Sequence, residues 1–273
     1  MIAYNINLNT RDKSIATDIA LDIREAGRNK RDNKGKFIRD ENGIPIKKPG
    51  KFKNVKAVGW YIKEYGIAQI SINLTDYKST PLFKVFEEVR RQANKRGVRV
   101  TGSEIVGLIP KECIVEVGKY YLKKQKRSTG LTEDIIIDIA IKSLGLEDLS
   151  QFDRNKKIIE LCLDENKSSL LKNKSIESFL NILSIDIPTP GGGSVAALCG
   201  SLGACLNSMV ANLTIGKKKW FDVYDTMCEI SEESQILNQS LMDLIDKDSK
   251  SFELVMDAFK ISSNEKDRDK KRI

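Results

Sequence analysis

Residues 189–197, Thr-Pro-Gly-Gly-Gly-Ser-Val-Ala-Ala, carry the strongest chemical signal in the chain. Three consecutive glycines, Gly191, Gly192 and Gly193, let backbone N–H groups come close to a ligand and point at it. Ser194 is placed to cap a helix that starts at once, and a helix N-terminus favours anionic groups. The same residue types fit a plain Gly-rich turn between two helices equally well. A second signal is one carboxylate. Positions 241, 245, 248, 252, 255 and 259 recur at helical spacing; five of them are Leu, Ile, Phe, Val and Phe, and the sixth is Asp248. A carboxylate in a core-facing seam is costly to desolvate unless it is paired or takes up a proton, so Asp248 is either a structural acceptor or a proton-transfer group. Asp243 and Asp246 fall off that stripe and are expected in solvent. Lys217 follows the Thr214-Ile-Gly216 break; it could pair with Asp248 or a ligand anion, or simply favour a helix C-terminus beside Lys218 and Lys219.

Composition narrows the chemistry. The 273 residues include no histidine, which excludes His triads, His metal ligands and a His general base within this chain. Acid–base work falls to Asp, Glu, Lys, Tyr or Cys, and no metal site is expected. The five cysteines (113, 162, 199, 205, 228) form no CxxC pair and read as buried free thiols in a reducing cytoplasm. No leader-like start is present, and Gly200, Ser201, Gly203, Asn207, Ser208 and Asn212 interrupt the apolar stretch 195–215, so no membrane partner is expected. Residues 28–56 hold eleven Lys/Arg against three acids, an excess equal to the whole chain's +8. This local basic segment lacks the aromatic pattern of base stacking, so nucleic acid is not the expected partner. A solvated hairpin or attraction of a polyanionic small molecule remain open.

The elements that must position these residues fall into two groups. Strands are expected at 2–9, 55–62, 67–74 and 98–109, helices at 12–26, 80–96 and 110–124, and a hairpin arm over the basic segment, with turns at 33–35 and 41–43. Thr80-Pro81 reads as a helix cap with proline at the first helical position. This is an α/β (α+β) unit, a sheet with helices on a face, over residues 1–127. Residues 128–174 read as a short helix and a linker. Residues 175–273 read as an all-α domain with helices at 175–184, 194–213, 220–237 and 238–260. The second of these is apolar nearly all round and is expected to be buried. The charged run 264–272 looks like the start of a further segment, so truncation or obligate assembly is expected.

Several ordered motifs resemble the formimidoyltransferase-cyclodeaminase family of folate-dependent histidine degradation. In the first half these are Tyr4-Asn-Ile-Asn-Leu8, Arg24-Glu-Ala-Gly-Arg28, Gly59-Trp60, Ile67–Leu74 and Thr101–Pro110. In the second they are Pro190–Ala197, Leu213-Thr-Ile-Gly-Lys217 and Asp248-Ser-Lys-Ser-Phe252. Ile215 departs from the family's frequent aromatic hydroxyl. The resemblance implies a transferase C-terminal subdomain joined to the start of a cyclodeaminase domain, without the transferase N-terminal subdomain that carries the catalytic histidine, so the chain is expected to be an enzyme incomplete on its own. It implies transfer of a formimino group from N-formiminoglutamate to tetrahydrofolate, then closure of 5-formimino-tetrahydrofolate to 5,10-methenyl-tetrahydrofolate with release of ammonia. It makes Asp248 the acid–base group and gives Gly191, Gly192, Gly193, Ser194 and Lys217 to the folate site. Asn5, Asn7 and Asn73, with Gln69 and Ser71, would line a wall of the transferase site. A polyglutamate tail on the folate is one such polyanion, for which Lys47, Lys48, Lys51 and Lys53 offer charge. The implied partners are a homo-oligomer or a complementing chain. Two alternatives stand beside this: a non-catalytic folate-binding or assembly subunit of a split enzyme, and a methenyltetrahydrofolate cyclohydrolase-like protein.

Overall fold

The computed structural model describes residues 1–163 and 170–260. It separates into two compact units, one of residues 1–125 and 133–163, the other containing 126–132 and the chain from 164 onward. The segment 128–174, set apart in sequence as helix and linker, is therefore divided between them. The physical reason is apolar: Ile136, Ile137, Ala140 and Leu144 are buried in the first unit's core.

Strict alternation builds the sheet of the first unit. Strands β1 (Ile2–Leu8), β4 (Val55–Ile62), β5 (Ile67–Leu74) and β6 (Val100–Val106) pair antiparallel in the order β4-β5-β1-β6. Ile2, Tyr4, Ile6 and Leu8 share one buried face with Ile70, Ile72, Leu74 and Ile105. Helices α1 (Lys13–Ile23), α2 (Leu82–Lys95), α3 (Lys111–Lys124) and α4 (Glu133–Leu144) supply the rest of that core. Asp12 caps α1 by accepting the Ser14 N–H at 2.8 Å. Thr80 does not cap α2: its hydroxyl donates to the Lys53 carbonyl, and Pro81 takes the cap position. Two short helices, α5 (Arg154–Lys157) and α6 (Ile159–Cys162), follow α4. The basic arm is a ribbon closed at its base by β2 (Arg28–Asn29) and β3 (Lys47–Lys48). Its turns fall where Gly35 and Gly43 adopt positive φ, and Asp32 and Asp40 accept the N–H groups of each turn.

The second unit contains α7 (Ile176–Leu183), α8 (Gly192–Thr214) and α9 (Tyr224–Lys260). One helix of 37 residues replaces the two expected over 220–237 and 238–260, because no Gly or Pro interrupts it. Helices α8 and α9 run antiparallel along a seam of small residues. Ser194, Ala197, Ser201, Ala204, Ser208 and Ala211 are the buried positions of α8, at coiled-coil spacing. Opposite them Ser201 donates to Asn238 and Gln235 to Ser208 at 3.0 Å, and the Ser231 hydroxyl oxygen lies 2.9 Å from Asn212 Oδ1. The Gly130 carbonyl enters this seam and accepts from Ser231 at 2.8 Å and from Asn212 at 3.1 Å.

Helix α8 is not buried all round, contrary to the expectation from its composition. Its small polar face packs, while Leu202, Leu206, Met209, Val210 and Leu213 lie exposed on the outside. Gly200, Ser201, Gly203, Asn207, Ser208 and Asn212 do not break it either. They fit within one continuous helix that is long and apolar enough, by length and composition, to cross a membrane.

Candidate functional site

The start of α8 is assembled against the middle of α9. Gly191 is the N-cap residue, extended in conformation and without a side chain to serve the first N–H groups. The Asp248 carboxylate supplies what the cap lacks. Its Oδ2 accepts the Ser194 backbone N–H at 2.8 Å and lies 3.0 Å from the Ser194 hydroxyl oxygen. Ser194 is thus not the cap that its position suggested but the residue that receives one from the neighbouring helix. A carboxylate at a helix N-terminus is also the charge that the helix dipole favours.

The three glycines serve different ends. A Cβ at Gly193 would overlap the Asp248 carboxylate, so this glycine is what lets the acid reach the loop. A Cβ at Gly192 would meet nothing within 4 Å, and one at Gly191 only the Pro188 oxygen, 3.7 Å away. Gly191 and Gly192 therefore present open backbone, and Gly193 presents Asp248.

Asp248 itself is half-buried, and its surroundings are not the greasy seam that the spacing suggested. The Ser194 hydroxyl lies against it and is in turn 3.1 Å from the Ser249 hydroxyl, and Ile245 on its stripe is buried. The stripe ends there, since Phe252, Val255 and Phe259 are exposed. Asp246, expected in solvent, is buried at 9% exposure; its Oδ1 accepts the Leu171 N–H at 2.7 Å, and its Oδ2 is enclosed without a hydrogen-bond partner. Asp243 binds Lys172, which holds its carboxyl below the usual range. Both acids fasten the 171–173 turn to α9, a contact between distant residues that reading along the chain could not supply.

Lys217 does not meet Asp248. It lies beyond the C-terminal end of α8, and 23 helical residues at about 1.5 Å each put roughly 35 Å between it and the loop. Lys217 and the adjacent Lys218 and Lys219 are exposed. Among the described residues no group of three or more Cys, Asp or Glu is placed to hold a metal ion. None of the five cysteines forms a disulfide; Cys113 is buried, with burial pushing its thiol up to about 12, whereas Cys199 and Cys205 are exposed.

In the other unit the polar sheet face is partly closed. Asn7, expected to line a ligand wall, is fully buried: its Nδ2 donates to Asp148 at 3.2 Å and its Oδ1 accepts from Gln69 at 2.8 Å. Thr101 donates to the same Asp148 oxygen at 3.0 Å. Asp148 escaped notice because it lies in the segment read as linker; the excess of amides on β1 and β5 was its one signal. Asn5 and Asn73 remain half-buried on this face, and Asn5 Nδ2 donates to Glu104 at 3.4 Å. Val58 and Trp60, on the same face of β4, are exposed.

Comparison with known proteins finds two family models in succession along the chain. Residues 3–164 match the model of the formiminotransferase domain, and residues 175–273 that of formiminotransferase-cyclodeaminase. The mouse formimidoyltransferase-cyclodeaminase is 35% identical over 272 residues, covering 98% of this chain and 47% of the relative. The Dictyostelium discoideum protein of that name is 38% identical over 230 residues, 83% of this chain and 39% of its own. A methenyltetrahydrofolate cyclohydrolase from Methylorubrum extorquens is 45% identical over 92 residues, 34% of this chain and 44% of its own. The chain spans about half the length of the full-length relatives it matches. On the strength of both family models, the chain belongs to the formimidoyltransferase-cyclodeaminase family.

Proposed function

We propose that this chain works in folate-dependent histidine degradation, in the transfer of a formimino group from N-formiminoglutamate to tetrahydrofolate and in the cyclisation of 5-formimino-tetrahydrofolate. The observation that carries the second step is the Asp248 carboxylate lying directly against the open triglycine backbone. Closure requires N10 to bond to the formimino carbon, the N10 proton to leave, and the bond from that carbon to the amino nitrogen to break. The formimino group enters as its amidinium, whose nitrogen already carries two protons; Asp248 takes the proton from N10 and passes it to that nitrogen, which leaves as ammonia with the electron pair of the broken C–N bond, and the positive charge stays on the methenyl ring. One carboxylate therefore serves both halves of the step, and the product is the 5,10-methenyl ring. Gly191 and Gly192 hold the folate through open backbone, and Asn5 and Asn73 offer amides to the transferase ligands.

A folate with a polyglutamate tail suits the basic arm. Lys34, Lys36, Lys47 and Lys48 are all exposed there, whereas Lys51 is already held by Glu88. The outer apolar face of α8 suits a homo-oligomer in which a second copy covers it. Five cysteines without a disulfide among them suit a reducing cytoplasm. The cyclohydrolase likeness favours a second reading of the helical unit, in which Asp248 activates water toward a methenyl substrate.

The test is to supply the chain with 5-formimino-tetrahydrofolate, the substrate of the cyclisation alone, and follow the methenyl absorbance together with released ammonia. The two rising in equal amounts is the expected result. A chain that produces neither, but consumes added methenyl-tetrahydrofolate, would favour the hydrolase reading.

A further inference from the structure

Ser194 has no path to a ligand. Its side chain is fully buried, at 0% exposure, and its N–H is taken by Asp248. Its hydroxyl oxygen lies 2.9 Å from the Ile245 carbonyl oxygen, 3.0 Å from Asp248 Oδ2 and 3.1 Å from Ser249 Oγ. A hydroxyl has a single proton to give. Ile245 sits within α9, whose own i,i+4 ladder serves its carbonyl, and an ionised carboxylate is the stronger acceptor. The hydroxyl proton therefore goes to Asp248, and Ser249 can donate in turn to Ser194.

We infer that Ser194 is a positioning residue that decides which oxygen of Asp248 exchanges protons. With N–H and O–H both directed at Oδ2, that oxygen is committed as a double acceptor. Oδ1 is left for the proton, and Oδ1 is the carboxylate atom nearest the place a Gly193 Cβ would occupy. The reactive oxygen is thereby turned toward the loop. No atom of Ser194 enters the reaction, and the proton that moves is the one carried on Asp248 Oδ1. This inference rests on the acid–base reading of Asp248.

The experiment compares turnover of 5-formimino-tetrahydrofolate by the full chain and by Ser194→Ala, Ser249→Ala, Asp248→Asn and Ser194→Ala/Asp248→Asn. Ser194→Ala should lower kcat roughly 10- to 100-fold with KM within about twofold. It should add nothing in the Asp248→Asn background, because the hydroxyl acts only through that carboxylate. Ser249→Ala should stay within about threefold of the parent, since Ser249 does not touch Asp248. Ser194→Cys, of similar size and a weaker donor, should fall between the parent and Ser194→Ala, and it supplies the answer if the alanine variant does not fold. Parent-like kcat in Ser194→Cys and Ser194→Ala, or an equal loss on either background of Asp248, overturns the inference. Parent-like kcat in Asp248→Asn instead overturns the acid–base reading beneath it, so the two failures are distinguishable.

Discussion

Gly193 and Gly192 are neighbours with the same side chain and opposite reasons for having it. At Gly193 the Asp248 carboxylate fills the space that a Cβ needs; at Gly192 that space is empty. Gly193→Ala must displace the acid or the start of α8, an overpacking cost of about 1–3 kcal/mol. It should lower the thermal midpoint and abolish cyclisation together. Gly192→Ala should leave the midpoint unchanged or slightly higher, because alanine is the better helix former, yet weaken folate binding by intruding where the ligand approaches. Calorimetry beside a folate titration checks both, and matching behaviour of the two variants would refute the distinction. The identities of the glycines and of Asp248 were legible in the sequence, since a triglycine before a helix and an acid on an apolar stripe are local patterns. That Ser194 receives a cap rather than provides one was not, because its partner lies 54 residues away.

At the scale of elements, alternation in β1 and β5 and the apolar spacing of α2 were plain in the sequence because each is a one-dimensional period. What escaped was pairing across the chain. The Asn7–Asp148 contact, the Asp246–Leu171 contact and the Gly130 carbonyl between α8 and α9 all join distant segments, and each involves a stretch that looked like linker. Helix α2 shows what such pairing does to a single charge. Glu88 is buried at 4% exposure and binds Lys51, Arg91 and Gln92. Burial pushes its carboxyl up, but those hydrogen bonds overcome it and hold the group down at about 2. A carboxyl whose folded value lies below its unfolded value, about 4.3, stabilises the fold above that pH; the contribution is lost as pH falls toward the folded value. Urea midpoints should therefore drop between about pH 4 and pH 2. Glu88→Gln should remove roughly 2–3 kcal/mol at pH 7 and flatten that acid limb. Parallel pH profiles for the two proteins would contradict the assignment.

For the molecule as a whole, charge and apolar surface are both uneven. An excess equal to the chain's +8 lies within residues 28–56, which include the basic arm, and α8 carries exposed apolar side chains off its packed face. Neutralising Lys34, Lys36, Lys47 and Lys48 should weaken polyglutamylated folate in a salt-dependent way and leave the monoglutamate unchanged. An equal loss for both ligands would remove the arm from the site. Sedimentation should find more than one copy per particle, and a monomer at tens of micromolar would exclude the homo-oligomer. The most direct measurement concerns Asp248. The full chain and its Asp248→Asn variant, which keeps an acceptor for the Ser194 N–H, are saturated with 5-formimino-tetrahydrofolate; ligand binding is read by calorimetry and ring closure by methenyl absorbance. Binding within a few-fold and closure slower by about 10²–10⁴ is the expected pair of results. Closure by the asparagine variant at the parent rate, or none by the parent at saturation, would contradict it.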